Sequence, residues 1–145
     1  MQDTDWKSVR DIYRQGISTG VATLETESGT WEKWDKSHLN EPRLVAVSDG
    51  NLAGWAALSA VSTRCVYGGV AEVSVYVGSE YRGMGVGLKL LNELVNESEM
   101  NGIWTLQAGI FSENRPSIRL HEKAGFRIVG IREKLGRLHG VWKDI

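Results

Sequence analysis

The chain has 145 residues, of which 24% are charged and 41% hydrophobic, and its formal net charge is -1. This length and composition are typical of a folded globular protein, and we expect one domain over residues 1–145. The balanced charge, with a pI near 6.3, argues against a nucleic-acid partner, because binding to phosphate backbones needs a clustered excess of Lys and Arg.

The cysteine content and the N-terminus bear on the cellular compartment. Cys65 is the only cysteine, so the chain cannot form an intramolecular disulfide, which excludes a disulfide-stapled scaffold and favours the cytoplasm. No apolar stretch approaches the ~20 residues of a membrane span, and the first residues lack the basic and apolar regions of an export signal. We therefore expect no association with a membrane.

The first half of the chain predicts two helices and a hairpin. Asp5 can cap a helix whose apolar residues recur at helical spacing until the glycines at 16 and 20. The predicted elements are, in order, this helix from Asp5, a shorter helix over 31–39, a strand over 44–47, a turn over 48–51 and a strand over 52–61.

The second half predicts alternating strands and helices around a cluster of glycines. The predicted elements are a strand over 69–77, a helix from Gly85 to about Asn101, a strand over 105–110, a helix over 117–124 and a strand over 126–133. No repeat or linker interrupts this order. The sum is an α+β fold whose central part is strand, glycine loop, long helix, strand, helix, strand.

The glycine cluster Tyr81-Arg82-Gly83-Met84-Gly85-Val86-Gly87 lies between a β-branched strand and an amphipathic helix. Backbone N–H groups and a helix N-terminus can bind an anion at such a junction. Leu88 stands where both the Rossmann motif and the P-loop would require glycine. Two interpretations remain at this point, a phosphate-binding loop and a flexible turn.

Three segments carry a resemblance to a known family. Arg82-Gly83-x-Gly85-x-Gly87 resembles the pyrophosphate loop of GNAT acetyltransferases. The segment 114–126, in which Asn114 precedes a short helix that ends in Gly-Phe, resembles a second part of that family. Residues 66–77 resemble its phosphinothricin acetyltransferase branch.

The resemblance implies a mixed, mostly antiparallel central sheet with helices on both faces, and strands four and five that splay apart around acetyl-CoA. Residues 69–77 and 105–110 match those two strands. The family usually has a strand before the first helix and another after the position of Ile145, so a domain trimmed of both strands is expected, with exposed sheet edges.

The resemblance also implies a set of residues that bind the cosubstrate acetyl-CoA. These are Val75, Tyr76, Val77, Arg82, Gly83, Met84, Gly85, Val86, Gly87, Asn114 and Ser117. Most would act through backbone N–H groups, and an N–H near Ser74 or Val75 would polarise the thioester carbonyl. No metal site is expected.

Acetyl transfer to an amine also needs a base and an acid. Glu72, a carboxylate in an apolar strand where desolvation would raise its pKa, stands where the branch has its catalytic glutamate. His121 stands where the branch has a histidine that can protonate the leaving thiolate. The alternatives are a cross-strand pair of Glu72 with Arg64 and a purely structural His121.

Arg64 and Tyr67 match positions that contact substrate in the branch, and a guanidinium with a phenol suits an anionic amino acid. The expected acceptor is phosphinothricin, methionine sulfone or methionine sulfoximine, although Ser62 replaces a lysine of some members. Other amines (a polyamine, an aminoglycoside or a protein N-terminus) and a non-catalytic CoA-binding module remain alternatives. The C-terminal segment around Arg137 and Trp142 resembles the family's dimer edge, so a homodimer is expected.

Overall fold

The computed structural model describes all 145 residues, Met1 to Ile145. Its helices are α1 (Trp6–Ser18), α2 (Trp31–Ser37), α3 (Val86–Met100) and α4 (Arg115–Lys123). Its strands are β1 (Arg43–Ser48), β2 (Asn51–Ala60), β3 (Val70–Val77), β4 (Thr105–Gln107), β5 (Gly136–Leu138) and β6 (Val141–Lys143). None of the helices has both the length and the apolar character needed to cross a membrane.

The central sheet has four strands in the order β1-β2-β3-β4. The pairs β1–β2 and β2–β3 are antiparallel, whereas β3–β4 is parallel. The parallel pair holds only from Val70 opposite Thr105 to Glu72 opposite Gln107, while β3 continues alone to Val77. The predicted splay between these two strands is therefore confirmed.

Helices cover both faces of the sheet, as predicted. On one face α1 and α2 pack over Trp55 and Tyr76 in an aromatic cluster that also contains Trp34. On the other face α3 places Leu90, Leu91 and Leu94 against the small and branched side chains of β2 and β3. The α+β class and the mixed, mostly antiparallel sheet are confirmed.

The close contact between α3 and α4 depends on Gly87. A Cβ at this position would lie 3.1 Å from Cδ2 of Leu120 on α4 and 3.4 Å from Cγ2 of Val77. A larger residue would therefore require the Leu120 side chain to move. The glycine therefore brings the N-terminus of α3 and the side chains of α4 to the same edge of β3.

Two local predictions were wrong. The carboxylate of Asp5 accepts a hydrogen bond from the Gln2 N–H at 2.8 Å and does not cap α1. Residues 126–133 form no strand, and the apolar side chains of Ile128, Val129 and Ile131 are exposed. A cavity of about 850 Å³ separates this segment from β4, so the segment has no ladder partner there.

The hairpin formed by β5 and β6 was not predicted. Its strands join through His139 and Gly140, whose φ angles of 49° and 81° are both positive. Two residues with positive φ form the turn that fits the twist of a tight hairpin. Asp144 and Ile145 then continue past the hairpin, where the Asp144 carbonyl accepts from the Ser112 N–H at 3.0 Å.

Candidate active site

The backbone of β3 turns polar groups towards the opening left by the splay. The N–H of Gly78 donates to the Ala53 carbonyl of the neighbouring strand at 2.8 Å. Successive residues of a strand alternate in direction, so the N–H groups of Val75 and Val77 point the other way, towards the side that β4 has left. The family resemblance predicted a backbone N–H near Ser74 or Val75 that polarises the thioester carbonyl. The register of β3 with β2 favours the Val75 N–H.

A cleft of about 1080 Å³ passes through this opening, a volume near the upper end of small-molecule sites. Its walls come from β3, the glycine loop, the first turn of α3, helix α4, and the loop that follows α1. Because side chains alternate along β3, Glu72, Ser74 and Tyr76 face the α1 side of the sheet. The cleft therefore connects the α1 face with the face that carries α3 and α4.

The glycine loop lies at one end of the cleft. Gly83 and Gly85 have φ angles of 77° and 80°, a region that disfavours other residues. Helix α3 begins directly after Gly85, and none of the N–H groups from Arg82 to Leu88 donates a hydrogen bond within the chain. These free donors, the helix N-terminus and the Arg82 guanidinium fit a pyrophosphate.

Glu72 lies at the point where the two strands separate. It is the last residue of β3 paired with β4, opposite Gln107, and it faces Ser59 on β2. Its side chain lines the cleft and forms no ion pair. The alternative pair with Arg64 is absent, since the Arg64 guanidinium lies over the Tyr67 ring at 5.5 Å.

Gly109 provides the space for the Glu72 carboxylate. A Cβ at Gly109 would lie 2.9 Å from Oε1 of Glu72. Since that oxygen is the flexible end of its side chain, we expect Gly109→Ala to displace the carboxylate at little cost in stability. If Glu72 is the base that the family resemblance implies, turnover should fall about 10-fold or more, since a positioned proton acceptor contributes ~100-fold or more.

Steady-state kinetics and thermal unfolding of Gly109→Ala would measure the two effects separately. Gly130→Ala is a matched control, because a Cβ there would meet no atom within 4 Å. Full activity in Gly109→Ala would show that the position of the Glu72 carboxylate does not matter for turnover.

His121 is buried in α4, with an exposed fraction of 7%. Its Nδ1 lies 2.7 Å from the Ser117 carbonyl oxygen, which can only accept, so Nδ1 carries the proton and Nε2 is free. The ring packs edge-on against Phe126 with centroids 5.2 Å apart. Burial lowers the pKa of His121, and the hydrogen bond to the Ser117 carbonyl raises it by less. The ring is therefore neutral near pH 7.

The lowered pKa of His121 predicts a loss of stability in acid. Between its folded pKa and the ordinary value of ~6.5, the unfolded chain binds a proton that the folded chain does not. The free energy of unfolding should therefore fall as the pH drops below ~6.5. Burial lowers the pKa of His38 as well, so both residues contribute in the same direction.

Urea denaturation at several pH values from about 7.5 to 5.5 measures this effect. In His121→Gln the free energy of unfolding should depend less on pH, and the dependence that remains should come from His38. A variant with the same dependence as the parent would contradict the assignment to His121.

Asn114 connects two walls of the cleft. Its Oδ1 accepts from the Ser117 N–H at 3.4 Å and so caps α4, and its Nδ2 donates to the Val21 carbonyl at 3.2 Å. The loop after α1 is thereby tied to α4 across the cleft. Leu24 of this loop lines the cleft.

The structure brings together most of the residues that the sequence singled out. The cleft is lined by Glu72, His121, Val75, Tyr76, Val77, Arg82, Gly83, Gly85, Val86, Gly87, Asn114 and Ser117. Met84 does not line it and is 65% exposed. Arg64 and Tyr67 lie in an exposed turn outside the cleft. Ser59, Gly109 and Arg132 line it and were missed, because no local pattern marks them.

Comparison with protein families identifies the chain, since residues 6–126 match the acetyltransferase (GNAT) family. The chain is a GNAT acetyltransferase. Among curated proteins it is 33% identical to a phosphinothricin N-acetyltransferase of Streptomyces viridochromogenes, over 97% of this chain and 79% of that protein. It is 30% identical to an L-methionine sulfoximine/L-methionine sulfone acetyltransferase of Salmonella typhimurium, over 97% of this chain and 85% of the relative.

Solved structures give the same fold for this GNAT acetyltransferase. A ribosomal-protein-alanine N-acetyltransferase from Brucella melitensis superposes with a TM-score of 0.92 at 30% identity, covering 99% of this chain and 92% of the other. A phosphinothricin acetyltransferase from Sinorhizobium meliloti in complex with acetyl-CoA gives 0.88 at 31% identity, covering 99% and 81%. The resemblance stated from the sequence is confirmed, and acetyl-CoA is the cosubstrate that the family and this complex support.

Proposed function

We propose that this GNAT acetyltransferase moves the acetyl group of acetyl-CoA to the amino group of a small anionic amino acid of the phosphinothricin, methionine sulfone or methionine sulfoximine type. The observation that carries the proposal is the position of Glu72, at the fork of β3 and β4 inside a cleft with free backbone donors at its other end. The named activities of the curated relatives support this choice of acceptor.

The glycine loop and the first turn of α3 would bind the pyrophosphate. Arg82 adds a charge to the free N–H groups at the mouth of the loop. Acetyl-CoA, when bound, supplies the activated acetyl thioester. The Val75 N–H faces the opening of the sheet, where it can donate a hydrogen bond to the carbonyl oxygen of that thioester.

Glu72 is the proposed general base. An acceptor amine enters as an ammonium ion, and it must lose a proton before its lone pair can attack a carbonyl. The Glu72 carboxylate can take this proton because it lines the cleft without an ion-pair partner in the chain. Ser59 lies opposite Glu72 on the neighbouring strand β2 and can help to orient the ammonium group.

His121 is the proposed acid for the leaving sulfur. Its Nδ1–H is held by the Ser117 carbonyl, so Nε2 is the atom that exchanges protons. Because burial keeps the ring neutral near pH 7, His121 must first take up the proton that the acceptor nitrogen loses on bond formation. Nε2 then delivers this proton to the sulfur as the C–S bond breaks.

The first test is the release of free CoA thiol with separate acceptors. Phosphinothricin, methionine sulfone and methionine sulfoximine form the anionic set, and a polyamine, an aminoglycoside and a short peptide with N-terminal alanine form the comparison set. We expect release with the anionic set. Thiol release with members of the comparison set alone would contradict the proposed acceptor. Binding of acetyl-CoA without thiol release in the presence of any acceptor would contradict the proposed transfer.

A protein N-terminus is the second candidate acceptor. The likeness to the ribosomal-protein-alanine N-acetyltransferase of Brucella melitensis is the observation in its favour. The alanine peptide in the assay decides between the two, because a protein acetyltransferase should turn it over faster than any free amino acid of the anionic set.

We further propose that the enzyme acts in the cytoplasm as a homodimer. The single, exposed Cys65 supports a compartment in which disulfides are not needed. Val141 and Trp142 of the β5–β6 hairpin are 57% and 52% exposed, which gives this edge an apolar surface for a second copy. Sedimentation equilibrium tests the assembly, and a monomer at all concentrations would contradict it.

A further inference from the structure

Arg132 is connected to the surroundings of the candidate base through Ile145, although it is far from Glu72 in sequence. Its N–H donates to the Ile145 carbonyl at 2.7 Å, and the Ile145 N–H donates back to the Arg132 carbonyl at 3.0 Å. The vacant Cβ position of Gly109 is 3.6 Å from Cγ2 of Ile145 and 2.9 Å from Oε1 of Glu72. The backbone of Arg132 is therefore fixed to a residue that neighbours the Glu72 carboxylate.

The Arg132 guanidinium lines the cleft and has no anionic partner in the chain. Three other cationic side chains line it, Arg82, Arg119 and Lys123. Arg82 belongs to the glycine loop, and Arg119 and Lys123 belong to α4, which packs against the start of α3. Of these four cations, Arg132 alone also lines the cavity beside β4, which Glu72 lines as well.

The chemistry of an α-amino acid restricts where its carboxylate can bind. The amino and carboxylate groups share one carbon, so the group that binds the carboxylate must lie next to the group that takes the proton from the amine. Arg64, the residue expected from the sequence, does not line the cleft. Arg132 does, together with Glu72.

We propose that Arg132 binds the carboxylate of the acceptor amino acid and so determines the preference of the site for anionic acceptors. The inference rests on the proposed function and names a substrate-binding residue for it. A guanidinium suits this role because its planar fork can donate two parallel hydrogen bonds to one carboxylate. Arg132 is exposed and lines the cleft, so its fork is accessible to an incoming substrate.

The test compares methionine sulfone with its carboxamide, which has the same amine and side chain without the negative charge. The parent enzyme should prefer the acid. In Arg132→Met the KM for methionine sulfone should rise about 10-fold or more, which is the scale of one lost hydrogen-bonded charge contact, with little change in kcat. The KM for the carboxamide and the KM for acetyl-CoA should stay as in the parent enzyme.

Two further variants make the result specific. Arg132→Lys retains the charge but not the fork, and it should give an intermediate KM for the acid. Arg14→Met is the matched control, since Arg14 is exposed on α1 and lines neither the cleft nor the cavity beside β4. It should retain the preference for the acid.

The inference is overturned if Arg132→Met retains the parent preference, or if Arg64→Met loses it instead. Either result leaves the proposed function intact, since the parent still acetylates methionine sulfone. If the parent acetylates no member of the anionic set, the proposed function fails, and the role of Arg132 fails with it.

Discussion

Glu72→Gln should lower kcat about 10²- to 10⁴-fold, which is the usual contribution of a positioned acid or base. Gln has the size and hydrogen-bonding capacity of Glu but cannot take a proton from an ammonium ion. Since Glu72 lies on the α1 side of β3 and the glycine loop lies at the other end of the cleft, the affinity for acetyl-CoA should not change. Thiol-release kinetics and calorimetric titration with acetyl-CoA measure the two quantities.

The matched control for this variant is Glu93→Gln. Glu93 is exposed on α3 and does not line the cleft, so the Glu93→Gln variant should turn over substrate like the parent enzyme. Raising the pH distinguishes a base from a binding residue. At alkaline pH the amine arrives without its proton, so the deficit of Glu72→Gln should shrink, whereas a constant deficit at all pH values would assign Glu72 another role.

Trp55→Ala should have the largest effect on stability, a loss of about 3–5 kcal/mol in the free energy of unfolding. Trp55 is 1% exposed and lies in the middle of the aromatic cluster. Its ring stacks on Tyr76 with centroids 4.9 Å apart and meets Trp34 edge-on at 5.5 Å. Truncation leaves a cavity between the sheet and both N-terminal helices.

Trp55→Phe separates the loss of packing from the loss of the indole. The Trp55 Nε1 is buried without a hydrogen-bond partner, so its removal leaves no other group unsatisfied. Phe should therefore cost much less than Ala in a urea denaturation series. Equal losses for the two variants would mean that the aromatic contacts contribute little to the stability of this face.

Local patterns predicted the elements around the cleft because those patterns arise within one element. Val73, Val75 and Val77 alternate with polar residues, which indicates a strand with two different faces. The leucines of α3 recur at helical spacing and pack into the core. The glycine loop lies between these two elements, so its position at a helix N-terminus followed from the sequence.

The C-terminal part was predicted less well because its structure depends on partners. Residues 126–133 have the β-branched composition of a strand, but a strand needs a neighbouring ladder, and a cavity lies beside β4 instead. The β5–β6 turn has a histidine, His139, at positive φ, where Asn, Asp or Gly is the usual signal. Neither outcome can be derived from composition alone.

In the candidate site, too, some residues could be predicted from the sequence and others depend on tertiary contacts. The sequence singled out Glu72 and His121 because each stands at a position that matches the family it resembles, and the structure places both in one cleft. Gly109 and Arg132 reach that cleft only through tertiary contacts, the first with Glu72 and the second through Ile145. Such contacts have no signature in the amino-acid sequence around either residue.

Acetyl transfer to the amine of an anionic amino acid, with Glu72 as the base, is the proposal on which the other predictions depend. The most direct measurement is the identification by NMR of the product formed from methionine sulfone and acetyl-CoA labelled in its acetyl group. We expect N-acetylmethionine sulfone in amounts equal to the released thiol, and a rate with Glu72→Gln that is lower by at least ~100-fold. Thiol release without the N-acetyl product, or equal rates of product formation in parent and variant, would contradict it.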